Sequence, residues 1–319
     1  MRVILIDVNY KKTSTGKIVH DLAHELILSG HQARILFGRG DAIDSDVAVR
    51  IAPVWEVYFH ALLTRLTGLV GFFSFFATRK IIKEIKKFKP DIIHLHELHG
   101  YYVNYSKVIG FLKTTGIPVV WTFHCEFAYT GKCGYAYDCE KWKTECSECP
   151  QIKEYPSSLY FDFTRYMFNG KRRDFEEFNK LTIVAPSTWL ARRVKQSFLS
   201  GYPVRVIHNG IDTQDVFYPR DKDSKSKMTV LAVAPDIMSE RKGGKWVMEL
   251  AKRFTDKIEF VMVGVVGSVD EVPSNVRLVN RTSNQDELAG YYSDADIFLI
   301  CSRRENFPTT CLEALSCGT

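Results

Sequence analysis

The chain opens on an apolar run broken by one carboxylate, Met1-Arg-Val-Ile-Leu-Ile-Asp7, and passes into a polar loop, Asn9-Tyr-Lys-Lys-Thr-Ser-Thr-Gly16-Lys17. A segment of helical period follows, with Ile18, Leu22, Leu26 and Ile27 on one face; Gly30-His31 ends it and Ala33–Phe37 reads as the next strand. Strand, loop, helix and strand in this order predict an α/β fold built on a parallel, doubly wound sheet. Ligands of such sheets bind beyond the carboxyl ends of the strands, where the Gly16 loop belongs. That loop is neither a Walker A sequence nor a full G-x-G-x-x-G. By its residues alone it is either a ligand loop or a connection carrying an ordinary helix N-cap.

Further buried strands recur along the chain. Asp91-Ile-Ile-His-Leu-His96-Glu97-Leu-His99 ends in polar side chains, with His94 and His96 on one strand face and His99 in the loop beyond. Three histidines with no evident fourth ligand fit a polar strand end better than a metal site. Pro118-Val-Val-Trp-Thr-Phe-His124 is another strand ending in histidine, and Lys180–Pro186 precedes a helix capped by Ser187. Val204-Arg-Val-Ile-His-Asn209-Gly210-Ile-Asp212 carries an Asn-Gly pair that predicts a tight turn. Beyond the solvated run Arg220–Lys227, strands at Thr229–Ala234, Phe260–Gly264, Val276–Leu278 and Asp296–Ile300 alternate with helical segments. A length of 319 residues suits two domains, and we place them at 1–208 and 209–319.

A net charge of +6 fits an anionic substrate or an anionic lipid surface and falls short of nucleic-acid binding. Residues 57–89 are the most surface-active stretch. Leu66–Thr78 includes Phe72, Phe73, Phe75 and Phe76, and a basic helix follows with Lys80, Lys83, Lys86, Lys87 and Lys89. The apolar part is shorter than the about 20 residues of a membrane span. Its aromatic residues are either core or, with the lysines, an interfacial face for anionic lipid. The N-terminal run reads as a buried strand rather than a secretory leader, which predicts a cytoplasmic protein with thiols reduced or metal-bound. Cys133, Cys139, Cys146 and Cys149 fall in an insertion at 125–156. The closing Cys-Ser-Glu-Cys has zinc-knuckle spacing, so the four are a candidate structural zinc site, with free thiols or disulfides as the alternatives.

In the closing stretch Glu305-Asn-Phe-Pro-Thr-Thr-Cys-Leu-Glu313-Ala-Leu-Ser-Cys-Gly318, two glutamates stand eight positions apart. Pro308 suits a first helical position. The amides of Thr309, Thr310 and Cys311 then open a helix N-terminus that can hold an anion, with Glu313 in the second turn.

This segment resembles the Glu-seven-Glu signature of the retaining, nucleotide-sugar-dependent glycosyltransferases of GT-B fold. The Ile-x-Asn-Gly-Val-Asp-like string at Ile207–Asp212 and Arg241-Lys242-Gly243 are similar to further family segments and occur in the family's order. The cysteine-bearing insertion resembles that of polysaccharide glycosyltransferases related to colanic-acid synthesis. The resemblance implies two Rossmann-like domains facing a cleft and, past Thr319, a further Pro-Val-Val strand and helices, so that the second domain is incomplete. It implies transfer of a sugar from a UDP- or GDP-linked donor to a glycan or polyprenyl-linked acceptor, with no cofactor required for catalysis. By the same resemblance His124, Lys242 and Glu305 are the catalytic residues. Gly16, His96, Asn209, Arg241, Thr309, Thr310 and Glu313 join Lys242 in binding substrate. Lys242 grips the diphosphate, Glu313 the ribose and Glu305 the sugar hydroxyls. The usual arginine of a Gly-Arg-Leu segment is replaced by Pro235-Asp236, with Arg241 as a substitute cation. A sugar-nucleotide epimerase and a non-catalytic binding protein are the rival readings.

Overall fold

The computed structural model describes residues 1–41, 45–222, 227–254 and 257–319; residues 223–226 of the charged run lie outside these. The chain divides into two compact units, Met1–His208 and Asn209–Thr319.

The first unit runs β1 (Arg2–Asn9), α1 (Ser14–Leu28), β2 (Gln32–Arg39), β3 (Ala48–Arg50), α2 (Val54–Thr67), α3 (Phe75–Phe88) and β4 (Ile92–Leu95). It continues with α4 (Tyr105–Thr115), β5 (Val119–Thr122), α5 (Thr164–Phe175), β6 (Leu181–Ala185), α6 (Thr188–Lys195) and β7 (Val204–Val206). Its strands pair in the order β3-β2-β1-β4-β5-β6-β7, all parallel. Successive residues of a strand point to opposite faces, and β1 shows why its sequence is apolar throughout. Val3 and Leu5 join a core with Val19 and Ala23 of α1, while Ile4 and Ile6 enter a second core with Ile81, Val108 and Ile109.

The second unit runs β8 (Met228–Val233), α7 (Gly244–Ala251), β9 (Ile258–Val265), β10 (Val276–Asn280), α8 (Gln285–Asp294), β11 (Ile297–Phe298) and α9 (Thr309–Ser316). Its sheet has the order β10-β9-β8-β11, again parallel. The same alternation divides it: Val230, Phe260 and Met262 pack with α7, and Leu231, Val261 and Val263 pack with Ala289 and Tyr292 of α8.

Several local expectations change. Thr13 caps α1, its hydroxyl accepting the Gly16 N–H. The buried stripe is Gly16, Val19 and Ala23, with Leu22 and Leu26 at its edge and Ile27 exposed. Small residues on that stripe let the helix lie close to the sheet. The aromatic tract 66–78 is two pieces, because Gly68 in the left-handed conformation ends α2 and α3 begins at Phe75. Ser74 does not cap α3 with its side chain. Glu56 of α2 takes that role, its buried carboxylate accepting the N–H of Phe76 at 2.7 Å and of Ala77 at 2.9 Å. Asn209-Gly210 makes no turn. The chain bends just beyond, where the Asp212 carboxylate accepts the N–H of Gln214 and Asp215 at 3.1 and 2.9 Å.

Candidate active site

In the first unit, the carboxyl ends of β1, β4 and β5 collect polar groups that are far apart in sequence. The strands are parallel and in register, Leu5 opposite His94 and Leu95 opposite Trp121, so residues just past each strand meet. Asp7 is fully buried. Its carboxylate accepts the N–H of Asn9 at 3.0 Å and of Glu97 at 3.1 Å, yet burial pushes its pKa up to about 7. His96 Nδ1 and His124 Nε2 are 3.0 Å apart, with the rings stacked at 5.3 Å. Burial holds both imidazoles below their usual range, so at neutral pH one neutral ring donates to the other. His94 hydrogen-bonds Thr122 at 2.8 Å, and burial takes it down to about 4.

Gly16 is buried at the first turn of α1. A Cβ there would lie 3.0 Å from the carbonyl carbon and oxygen of Asn9, so glycine lets the helix start directly against the end of β1. A contact not legible in the sequence joins the residues just past β4 and β5 through Cys125. Its Sγ is 3.4 Å from His99 Nε2 and 3.5 Å from Glu97 Oε2, while Glu97 and His99 are themselves ion-paired.

The insertion after β5 is held in part by buried cations that sequence reasoning missed. Lys132 donates to the carbonyls of Ile152, Glu154 and Pro156 at 2.8, 2.9 and 2.7 Å. Lys171 of α5 donates to those of Phe127 and Thr130 at 2.6 and 3.1 Å. Among the four insertion cysteines, Cys133 and Cys149 are hydrogen-bonded. That contact pushes the Cys133 thiol up and brings Cys149 down to about 7. Cys146 accepts the Gly131 N–H at 3.3 Å. The four share one neighbourhood but do not bring three sulfurs within 4.8 Å of one another; among the described residues the group that meets this measure is Glu97, His99 and Cys125.

In the second unit, the turn before α7 and the loop before α9 meet. Gly243 is left-handed, and a Cβ on it would lie 2.2 Å from the Cys301 carbonyl oxygen. Arg303 N–H donates to the Arg241 carbonyl at 2.9 Å. This close approach sets Lys242 Nζ 2.5 Å from Glu305 Oε1, with Arg241 Nη1 at 3.4 Å from the same oxygen. Burial lowers the Lys242 pKa, and the Glu305 carboxylate opposes the shift.

Pro308 is the N-cap of α9 rather than its first helical residue, with ψ of 121°. Helical geometry thus begins at Thr309, and Cys311 N–H already donates to the Pro308 carbonyl at 3.2 Å. The amides of Thr309 and Thr310 have no carbonyl of their own helix within reach. Asn209 Nδ2 donates to the Phe307 carbonyl at 3.2 Å, which makes it a support for the loop leading to α9. Glu313 accepts the hydroxyl of buried Tyr292 at 2.9 Å, a partner that the sequence reading did not single out. Burial pushes the Cys311 thiol up; Glu305 and Glu313 add to this and Lys242 opposes it. Lys242 is thus paired with Glu305 of the loop that leads into α9, the helix that carries Glu313.

Comparison with known proteins fits this arrangement. The model of Glycosyltransferase Family 4 matches residues 15–215. The chain belongs to this family. A second model, Glycosyl transferases group 1, matches residues 228–319 and so includes Lys242, Glu305 and Glu313. WcaC of Escherichia coli (strain K12), named for glycosyl transfer in colanic acid biosynthesis, is 28% identical over 240 residues, covering 72% of this chain and 58% of WcaC. The chain thus spans less than two thirds of that relative's length. Solved structures with similar folds include WaaG, a glycosyltransferase involved in lipopolysaccharide biosynthesis, with TM-score 0.60, 13% identity, and 100% of this chain and 79% of that chain covered. The catalytic domain of starch synthase IV from Arabidopsis thaliana has TM-score 0.58, 14% identity, and coverage of 100% and 81%. These likenesses give the family member its fold, the GT-B arrangement of two parallel-sheet α/β domains.

Proposed function

We propose that the chain transfers a sugar from a nucleoside-diphosphate sugar to a glycan or polyprenyl-linked acceptor, with retention at the anomeric carbon. The observation that supports this most is the partly buried Lys242–Glu305 pair beside the opening turn of α9, with Glu313 one turn in. A departing diphosphate gains negative charge as the C1–O bond breaks. Lys242, Arg241 and the Thr309 and Thr310 amides supply positive charge and donors for it. Glu313 takes the ribose hydroxyls and releases Tyr292 to do so, while Glu305 takes hydroxyls of the sugar. Neutral His124, steadied by His96, donates to the sugar or the leaving phosphate. The acceptor hydroxyl forms the new C1–O bond on the face that the phosphate leaves, and its proton passes to a leaving phosphate oxygen. Nothing in this sequence of steps needs a metal.

We also propose that the chain works on the inner face of a membrane. No helix among the described residues is long and apolar enough to cross one, but α2 exposes Trp55, Tyr58, Phe59 and Leu62. Trp55 meets exposed Phe76 of α3 at 5.6 Å. Leu159, Tyr160 and Phe161 are exposed where Leu159 N–H binds the Arg65 carbonyl at 2.9 Å, extending the apolar face. Exposed Arg79, Lys80, Lys83, Lys86 and Lys87 accompany it. Aromatic side chains joined to cations suit an anionic interface.

A panel of UDP- and GDP-sugars with lipid-linked acceptors, with the product anomer assigned by NMR, tests the reading. It expects one donor to be consumed with its anomeric configuration kept. An inverted product removes retention, and an isomerised nucleotide sugar formed without acceptor turns the reading to an epimerase.

A further inference from the structure

We infer that Glu97, His99 and Cys125 form a binding site for a zinc-like divalent cation, a function separate from the sugar-transfer reading and independent of it. The three ligand atoms, Glu97 Oε2, His99 Nε2 and Cys125 Sγ, lie within 4.8 Å of one another. In a cysteine–histidine–carboxylate catalytic triad the imidazole bridges its partners through opposite nitrogens. Here a single nitrogen, Nε2, faces both the sulfur at 3.4 Å and the carboxylate. A single N–H there can serve both only as a bent three-centre hydrogen bond, whereas a cation between the three atoms is met by all of them at once.

The sulfur edges have the right size. Zinc bonds of about 2.3 Å to sulfur and about 2.0–2.1 Å to nitrogen or oxygen, at tetrahedral angles, place such atoms about 3.5 Å apart. The observed edges are 3.4 Å to nitrogen and 3.5 Å to oxygen. Glu97 and His99 are in closer contact than a filled site requires, so that edge opens as the ion enters. One thiolate, one carboxylate and one neutral imidazole cancel a double charge. Sulfur and nitrogen donors favour zinc or cobalt over magnesium or calcium. Three protein ligands leave the fourth tetrahedral position to a water or a substrate oxygen.

The backbone around the ligands is fixed on several sides. Glu97 N–H binds Asp7 at 3.1 Å and the Glu97 carbonyl accepts Tyr102 Oη at 2.6 Å. Gly100 has φ of +101°, and a Cβ there would lie 2.6 Å from Val8 Cγ2. Phe127 covers His99 at 5.1 Å. Such outer contacts hold metal ligands in place before the metal arrives.

The test is to strip the full chain of metal, titrate it with Zn²⁺ or Co²⁺, and compare wild type with Cys125→Ser, His99→Gln and the double variant Cys133→Ser/Cys149→Ser. Circular dichroism checks the fold of each. The site predicts that Cys125→Ser holds one equivalent less than wild type and loses a thiolate-to-cobalt charge-transfer band that Cys133→Ser/Cys149→Ser keeps. It also predicts that Zn²⁺ slows alkylation of Cys125 in wild type at least tenfold, read by peptide mass spectrometry, which needs no variant. Metal content and cobalt spectra that are equal in wild type and Cys125→Ser, or Cys125 alkylation that is the same with and without metal, would overturn the proposal.

Discussion

Breaking the Lys242–Glu305 pair from either side should have unequal effects, because the charges left behind differ. Their side chains keep 14% and 19% exposure at an N–O distance of 2.5 Å. Removing one partner of a fully buried pair costs about 3–5 kcal/mol. Lys242→Met leaves Glu305 with Arg241 still 3.4 Å away, and this reserve partner with partial exposure reduces the cost to about 1–2 kcal/mol. Glu305→Gln leaves two cations in the same turn with no carboxylate between them, so about 2–4 kcal/mol is expected. Residues in contact do not add, and the double variant should fall short of the sum of the single ones by about 1 kcal/mol or more. With two units in the chain a single melting transition does not isolate this effect. Hydrogen exchange of peptides spanning β8, α7 and β9 isolates it, with peptides of β1 and β4 as an internal control. Equal protection in the two single variants, or strict additivity in the double, would refute the reasoning.

Other expectations follow from single side chains. His60 is buried, with Nδ1 2.6 Å from Ser74 Oγ and Nε2 accepting Gly71 N–H at 3.2 Å, and burial takes its pKa from 6.5 down to about 4. The native state stays neutral while the unfolded chain takes up a proton below 6.5. His60 therefore withdraws stability, about 3 kcal/mol in all, as pH falls from 6.5 to 4; the thermal-stability difference between wild type and His60→Gln should shrink over that window. Gly264 has φ of +102°, and a Cβ there would sit 1.6 Å from the Ala234 carbonyl oxygen. Gly264→Ala should leave the second unit unfolded, seen as lost exchange protection in 228–265 with the first unit intact. Lys132→Met strands three carbonyls and should cost about 2–4 kcal/mol, read as faster proteolysis within 131–163. Trp55→Ser/Phe59→Ser should cut sedimentation with phosphatidylglycerol vesicles about tenfold or more, with binding to neutral vesicles already weak in wild type.

The sheets were legible in the sequence because a parallel strand buried on both faces has to be apolar along its whole length, as Val3–Ile6 and Val230–Val233 are. The residues past strand ends were legible as types and not as partners. His96 and His124, or Glu97 and Cys125, are 28 residues apart, and only the register of β4 against β5 brings them together. The resemblance gives Lys242 and Glu305 separate substrate groups, yet they bind each other across 63 residues, a contact fixed by the glycine-dependent approach of two loops. The tight turn at Asn209-Gly210 did not form, since the turn is made by the Asp212 side chain. The stretch 57–89 is legible as surface-active, but Tyr58 and Phe59 of α2 do not stand out in it, nor Trp55 just before it, because an interrupted row of apolar residues on a helix reads as core until the opposite layer is known.

The most direct measurement of donor recognition is calorimetric titration of UDP and GDP into wild type and Lys242→Ala. The ion-pair geometry predicts that the nucleotide which binds wild type loses about 10- to 100-fold in affinity with the lysine gone, as one charged phosphate contact of about 1.5–3 kcal/mol is removed. The corresponding monophosphate should lose much less. Diphosphate affinity unchanged by Lys242→Ala, in a variant that remains folded, would contradict the assignment.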